Sequence, residues 1–282
     1  MFQHRRTLNF KAGMSIGQRR FQAVFLAILA LGMQLLPAAR AQQPAPLRIA
    51  AAADLQPVLP PILEEFRNST GIQAEAAYQA SAALTAQIQN GAPFDVFLSA
   101  DLSYPKWLID ARVADTAGIN GNSIAPLTYA RGTLVLWTRK DSHWPNPSLA
   151  TLSDPTLQRL AIANPERAPY GRAAMAALIS LKLLDALKPK LVTAENIAQT
   201  AQFAETGNAD AGLISLTSAK TAHLSSIGSY FVIPANLYPP IEQGAAILTN
   251  SKQRDNSKKF LEFLLSPEIQ KQLANAGLTP VR

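Results

Sequence analysis

Leu160-Ala-Ile-Ala-Asn-Pro-Glu-Arg-Ala-Pro-Tyr-Gly-Arg-Ala-Ala174 is the stretch on which the reading of the fold turns. Its first four residues form a buried-strand run that Asn164-Pro165 stops. The chain turns through Pro169-Tyr170-Gly171, and an Ala-rich helix begins at once. Such a junction aims the free first-turn N–H groups of a helix, at the positive end of its dipole, beyond the end of the strand. An anion can be held there without a charged side chain. The same strand, small residue, helix order recurs at Ala53-Asp54 and at Ala80-Ser81-Ala82.

Outward from this stretch, short apolar runs alternate with amphipathic segments. Strands are expected over 47–51, 72–78 and 94–98, with helices over 55–66 and 81–90 between them. That alternation predicts an α/β fold with largely parallel sheets flanked by helices. Gly91 stands where a helix C′ glycine belongs. Pro57, Pro60 and Pro61 make the first helix irregular, with its regular part starting near Pro61. A strand over 133–138 follows Tyr129-Ala-Arg-Gly132, and a Pro-rich loop at 143–147 leads to a second α/β series. Its strands fall at 160–163, 191–193, 212–215 and 230–233, and its helices near 172–184, 196–206 and 217–223. The loop 234–240 breaks the pattern again. A strand over 241–248 and helices over 253–265 and 267–276 complete the chain. Two α/β units joined by two strand-like crossings predict two lobes around a cleft. Residues 42–128 with 238–282 make the first lobe, and 129–237 the second.

Residues 1–41 read as a secretory signal peptide rather than as part of the fold. Five basic residues and no acid precede an apolar run at 21–36, and Ala39-Arg40-Ala41 offers a cleavage site before Gln42. Met14 is an alternative start to Met1. The run is interrupted by Gln22, Gly32 and Gln34, ends at Pro37 and is short for a bilayer span. No Cys follows it, so no lipoprotein anchor forms. Six of the 26 Lys and Arg residues lie in this segment, and all 19 acids lie beyond it. The rest of the chain then carries 20 basic and 19 acidic residues, a net charge of +1. The basic balance belongs to the export signal and gives no reason to expect nucleic acid as a partner. Export without cysteine means stability without disulfides and no thiolate chemistry, and the expected location of an exported chain of this kind is the periplasm.

Ser81, between a strand and a helix, can offer a ligand both its hydroxyl and its amide, or can simply cap the helix. Asp54 reads first as a cap. When ionised it only accepts hydrogen bonds, so it would repel a dianion set against it. The Tyr170 amide and the Ile197 amide, after Ala194-Glu195-Asn196, sit at helix starts as further donors. By side chain alone Tyr170 and Ile197 would be core. Beyond the signal segment the only histidines are His143 and His223, neither with a carboxylate at metal-ligand spacing. Ser103-Tyr-Pro-Lys106 matches S-x-x-K without the companion motifs of that enzyme class. No phosphate-loop lysine motif and no G-x-S-x-G occur.

Taken together, several segments resemble the periplasmic molybdate-binding proteins, the solute receptors of molybdate ABC importers. They are Ala51-Ala-Ala-Asp54-Leu, Tyr78-Gln-Ala-Ser81, Gly91-Ala-Pro-Phe-Asp-Val-Phe-Leu-Ser-Ala-Asp101, Tyr129-Ala-Arg-Gly132, Ala163-Asn-Pro-Glu-Arg-Ala-Pro-Tyr-Gly171, Ala194-Glu-Asn-Ile197 and Gly207-Asn-Ala-Asp-Ala-Gly212. The resemblance runs from Leu47 to the C-terminus. It implies the two-lobed type II periplasmic binding fold, with a tetrahedral oxyanion held between the lobes by neutral donors. Ala53, Asp54, Ala80 and Ser81 match the first-lobe donors, and Tyr170 and Ile197 the second-lobe amides. Ser215 falls where some members place a Tyr hydroxyl. Ala80 and Asp54 depart from the hydroxyl and neutral side chains usual in the family. The resemblance further implies a non-enzymatic monomer without a cofactor, whose molybdenum arrives as molybdate (or tungsten as tungstate). Its partners would be permease subunits of an ABC importer at the inner membrane. The rival readings are a receptor for phosphate or sulfate, and an exported enzyme or sensor on the same fold.

Overall fold

A computed structural model of the chain describes residues 45–119, 121 and 125–281. The expected signal segment and its cleavage site lie outside the described residues. Among the described residues there are eleven strands: β1 (Leu47–Ala52), β2 (Ala74–Gln79), β3 (Val96–Ser99), β4 (Ala114–Asp115), β5 (Leu127–Gly132), β6 (Leu134–Arg139), β7 (Leu160–Ala163), β8 (Leu191–Ala194), β9 (Ala211–Ser215), β10 (Gly228–Val232) and β11 (Ile241–Leu248). The longer helices are α1 (Leu59–Thr70), α2 (Ser81–Gln89), α3 (Ser103–Asp110), α4 (Pro169–Ser180), α5 (Ile197–Glu205), α6 (Arg254–Leu264) and α7 (Pro267–Asn275).

The strands form two sheets. One has the order β2-β1-β3-β11-β4, with β5 also paired to β11; the other has the order β10-β6-β9-β7-β8. The pairs β1–β2, β1–β3, β7–β8 and β7–β9 are parallel. This is why β1, β3, β7 and β9 are almost unbroken apolar runs: helices cover both faces of a parallel sheet. The pairs made by β6 and β11 with their other neighbours are antiparallel. The chain changes sheet between Gly132 and Leu134 and returns between Val232 and Ile241. The first crossing is sharper than its sequence suggests. Tyr129–Gly132 is not a lead-in to β6; it belongs to β5, because its ladder partner is β11 on the opposite side of the crossing.

Each sheet has its own buried core. Leu47, Ile49, Val96, Leu98 and Ile247 pack with Phe66, Phe260 and Leu264 from the helices of the first. Phe66 and Phe260 meet edge to face at 5.3 Å, a favoured aromatic geometry. The apolar positions of α1 recur at Leu59, Ile62, Leu63 and Phe66, one helical face. Pro60 and Pro61 are tolerated there because a first turn has no intrahelical use for their missing N–H. The helix ends at Gly71, whose φ of 74° is left-handed. At the second sheet, α4 starts at Pro169, three residues before the expected Arg172, again with proline in the first turn.

Candidate functional site

Several strand-to-helix junctions end in one place. Ala53 and Ala80, beyond β1 and β2, share a single buried cluster with Ala163, Ala168, Tyr170 and Ile197 from the second sheet. Ser81 and Ser215 are also buried, at 1% and 0% exposure. The seven residues singled out from sequence therefore come from both sheets and are all out of solvent. Among the described residues no Lys or Arg is buried. The polar character of the region thus comes from amides, hydroxyls and one carboxylate.

Ser81 is the first residue of α2 and does not cap it; Ala80 holds the cap position and no side chain bonds there. The Ser81 Oγ instead accepts from the Ala100 N–H at 3.1 Å. The bond fixes the rotamer and leaves the hydroxyl proton free to be donated elsewhere. Its amide, like those of Tyr170 in the first turn of α4 and Ile197 at the start of α5, has no acceptor within its own helix. The neighbouring Ala82 N–H donates to Arg167 O at 3.2 Å, linking the β2–α2 junction to the β7–α4 loop. Asn196 caps α5, its Oδ1 accepting from Gln199 N at 3.0 Å, and so fixes where the Ile197 amide points. Ser215 differs. Its Oγ accepts from Ser218 N at 3.2 Å and lies 2.9 Å from both the Thr217 and Ser218 hydroxyls. That hydroxyl is engaged in capping the short helix Leu216–Ala219.

Asp54 is not a cap. The 3-10 turn Ala53–Leu55 has Ala52 at its N-cap and no side-chain cap bond. Its fully buried carboxylate accepts, at Oδ2, from the Tyr170 hydroxyl at 3.1 Å and from Gln243 Nε2. Oδ1 and Gln243 Oε1 have no partner among the described residues. The Asp54 carbonyl accepts from Thr217 Oγ1 at 2.8 Å. Burial pushes the Asp54 carboxyl up to about 6 against the opposing pull of the Gln243 and Tyr170 bonds. Burial, and then the nearby Asp54 charge, hold the Tyr170 phenol well above its ordinary value. Farther out, Arg172 pairs with Asp101 at 2.5 Å, donates to Tyr104 OH at 3.1 Å and lies 5.5 Å over the Tyr104 ring. These contacts tie α4 to the chain after β3.

Gln243 and Thr217 escaped the sequence reading. A glutamine inside the apolar run Ile241–Leu248 was the available signal, since a buried amide needs a partner. The remaining candidates fall elsewhere. Lys106 pairs with Asp110 at 2.8 Å on an exposed face of α3, so S-x-x-K marks a surface ion pair. His223 pairs with Glu205 at 2.7 Å, also exposed. His143 packs edge-on against Trp144. Among the described residues no cluster of His, Asp or Glu has metal-binding geometry.

Two sheets joined by two crossings, with helix N-termini from both converging on a buried site, define a two-lobed solute receptor. Consistent with this, the sequence profile of the bacterial extracellular solute-binding proteins matches residues 47–279, and the chain belongs to that family. A molybdate-binding protein from Azotobacter vinelandii is 37% identical over 250 residues, covering 89% of this chain and 95% of that one. A molybdate-binding protein from Rhodobacter capsulatus is 36% identical, covering 75% and 79%. In three dimensions the Azotobacter vinelandii periplasmic molybdate-binding protein superposes with a TM-score of 0.77 at 30% identity, covering 84% of this chain and all of the other. A sulfate-binding protein from Mycobacterium tuberculosis, at 16% identity and a TM-score of 0.69, shares the fold.

Removing the Ser81 hydroxyl separates its two possible duties. Ser81→Ala is expected to weaken oxyanion binding by about 1.5–3 kcal/mol, the worth of one hydrogen bond to a charged group. A hydroxyl that served only the buried Ala100 N–H would instead show its loss in stability alone. Titration and thermal denaturation of the mutant decide between them; an unchanged affinity would exclude Ser81 from the site.

Proposed function

We propose that this chain is a periplasmic receptor that encloses molybdate, and tungstate, and delivers it to an ABC importer in the inner membrane. The observation that carries the reading is that the helix starts at Ala80, Tyr170 and Ile197, drawn from both sheets, share one buried cluster, with Ser81 buried beside Ala80 and no buried basic side chain among the described residues. Molybdate presents only acceptors, so a set of N–H and O–H donors suits it. Each charge-assisted bond contributes roughly 1.5–3 kcal/mol, and several together give tight yet reversible binding. A buried Lys or Arg would bring a second large desolvation cost. Sulfate has the same charge and a smaller radius, so the size of the enclosed space discriminates against it. The identity of 36–37% to proteins named for molybdate binding supports the same ligand.

Residues 42–128 with 238–282 form one lobe in this reading and 129–237 the other. They close about the crossings near 129–132 and 234–240 by hinge motion. Ala53, Ala80 and Ser81 face Tyr170 and Ile197 across the anion, and Asp54 stands behind them with its carboxylate on Tyr170 and Gln243. The protein works as a monomer without chemistry of its own, after removal of residues 1–41. A ligand at a thousand times its Kd stabilises a native state by about 4 kcal/mol, roughly 10 °C for a domain of this size. Molybdate and tungstate are expected to raise Tm by that order, and sulfate and phosphate by far less. An equal rise with all four anions would remove the ligand assignment. Intact mass of the exported protein, starting at Gln42, checks the cleavage.

A further inference from the structure

Tyr170 touches the site with its main chain and the sheet crossings with its side chain. Its ring is 1% exposed. A Cβ placed on Gly132 would collide with the Tyr170 hydroxyl, would lie 2.8 Å from its Cζ and 3.2 Å from Ile241 Cγ2. Gly132 ends β5, Ile241 begins β11, and the two are ladder partners. The phenol tip of a residue from the second sheet is therefore seated on the pair of strands through which the chain passes between sheets. Two residues beyond Ile241, Gln243 donates to the same Asp54 oxygen that receives the Tyr170 hydroxyl. The β5–β11 ladder shifts register between Gln243 and Gly244, and a bulge is a device for re-aiming a side chain. Tyr238, in the return crossing, accepts from the Leu134 N–H at 3.1 Å and fastens one crossing to the other.

We propose that Asp54 and Gln243 are positioning residues that act through the Tyr170 hydroxyl: they hold the start of α4 against the crossing strands in the closed arrangement and so keep the Tyr170 amide on the bound oxyanion. This rests on the ligand reading above. Glycine at 132 is required because any side chain would occupy the seat of the phenol. Closing the lobes forms the hydroxyl–carboxylate bond, and opening them breaks it. The bond therefore governs release of the anion more than its capture, since capture begins in the open form.

The shared acceptor oxygen predicts which variants keep the arrangement. In Asp54→Asn the side-chain oxygen, set where Oδ2 stands, accepts from both Tyr170 and Gln243 Nε2 as the carboxylate does. In Asp54→Ala the phenol loses its acceptor. Tyr170→Phe keeps ring and amide and removes only the hydroxyl. Molybdate dissociation rates, measured by displacement with excess tungstate, are expected to rise at least tenfold in Tyr170→Phe and in Asp54→Ala. Association should stay within about threefold of wild type, and Asp54→Asn should release molybdate at close to the wild-type rate. Solution scattering of the ligand-free proteins should show Tyr170→Phe more open than wild type. A purely structural phenol would lower Tm and leave both dissociation and scattering unchanged; that result overturns the proposal. Wild-type protein that fails to bind molybdate overturns the ligand reading instead, and the ligand-free scattering comparison still decides whether the phenol holds the lobes.

Discussion

Gly171→Ala is expected to cost about 3 kcal/mol of stability or more and to abolish tight oxyanion binding. A Cβ at this position would lie 2.8 Å from Ala163 C and 2.8 Å from Asn164 C, and closer still to the Ala163 carbonyl oxygen. These are backbone atoms with no freedom to yield. Ala163 is the last residue of β7, paired with Ala194 of β8, and the Asn164 N–H donates to Ala194 O at 2.7 Å. Relief must come from the start of α4, which would move away and carry the Tyr170 amide off the site. Overpacking of this kind costs 1–3 kcal/mol and more when nothing can shift. Gly71→Ala is the internal comparison. Gly71 has a φ of 74° and nothing within 4 Å of an added Cβ, so only the left-handed penalty of about 1 kcal/mol applies. Denaturant midpoints and oxyanion titrations of both variants check this; a Gly171→Ala protein that binds within threefold of wild type contradicts it.

The second large effect is a pH dependence of stability set by Asp54. Its carboxyl is raised from 3.8 to about 6, first by burial. For an acid raised on folding, the neutral form is favoured in the native state. Its stabilising contribution is therefore complete below about pH 4 and is lost as the pH rises through 6. At 1.36 kcal/mol per pH unit the difference amounts to about 3 kcal/mol. Asp54→Asn removes the titration. The stability of Asp54→Asn relative to wild type should accordingly increase by about 2 kcal/mol between pH 4 and pH 7.5, with most of the change between pH 4 and 6. Denaturation curves of the two ligand-free proteins across that range measure it. A difference that does not vary with pH would mean that the carboxylate is solvated or fully satisfied in the folded protein.

What the sequence made legible was local. The strand stop at Asn164-Pro165, the turn at Pro169-Tyr170-Gly171 and the helix after it are all near-neighbour effects, and they stand as expected apart from an earlier helix start. The repetition at Ala53 and Ala80 also pointed to donors converging from separate junctions, and they share one buried cluster. The duties of side chains were harder to read, because their partners lie far along the chain. Asp54 and Ser81 both look like helix caps from their neighbours. Yet Asp54 bonds to Tyr170, 116 residues on, and to Gln243, 189 residues on. The Ser81 hydroxyl finds Ala100 across the sheet edge. Likewise Tyr129–Gly132 is a strand only because β11 returns beside it. No local pattern carries that pairing, and the same holds for the Arg172–Asp101 contact between the chain after β3 and α4.

The most direct test of the account is calorimetric titration of the ligand-stripped mature protein, at fixed pH and ionic strength, with molybdate, tungstate, sulfate and phosphate in turn. One molybdate per chain is expected, with a Kd below about 1 μM, equivalent to roughly 8 kcal/mol of binding free energy. Tungstate should be comparable, and sulfate and phosphate at least a hundredfold weaker. Phosphate bound as tightly as molybdate, or no heat with either molybdate or tungstate, would contradict it.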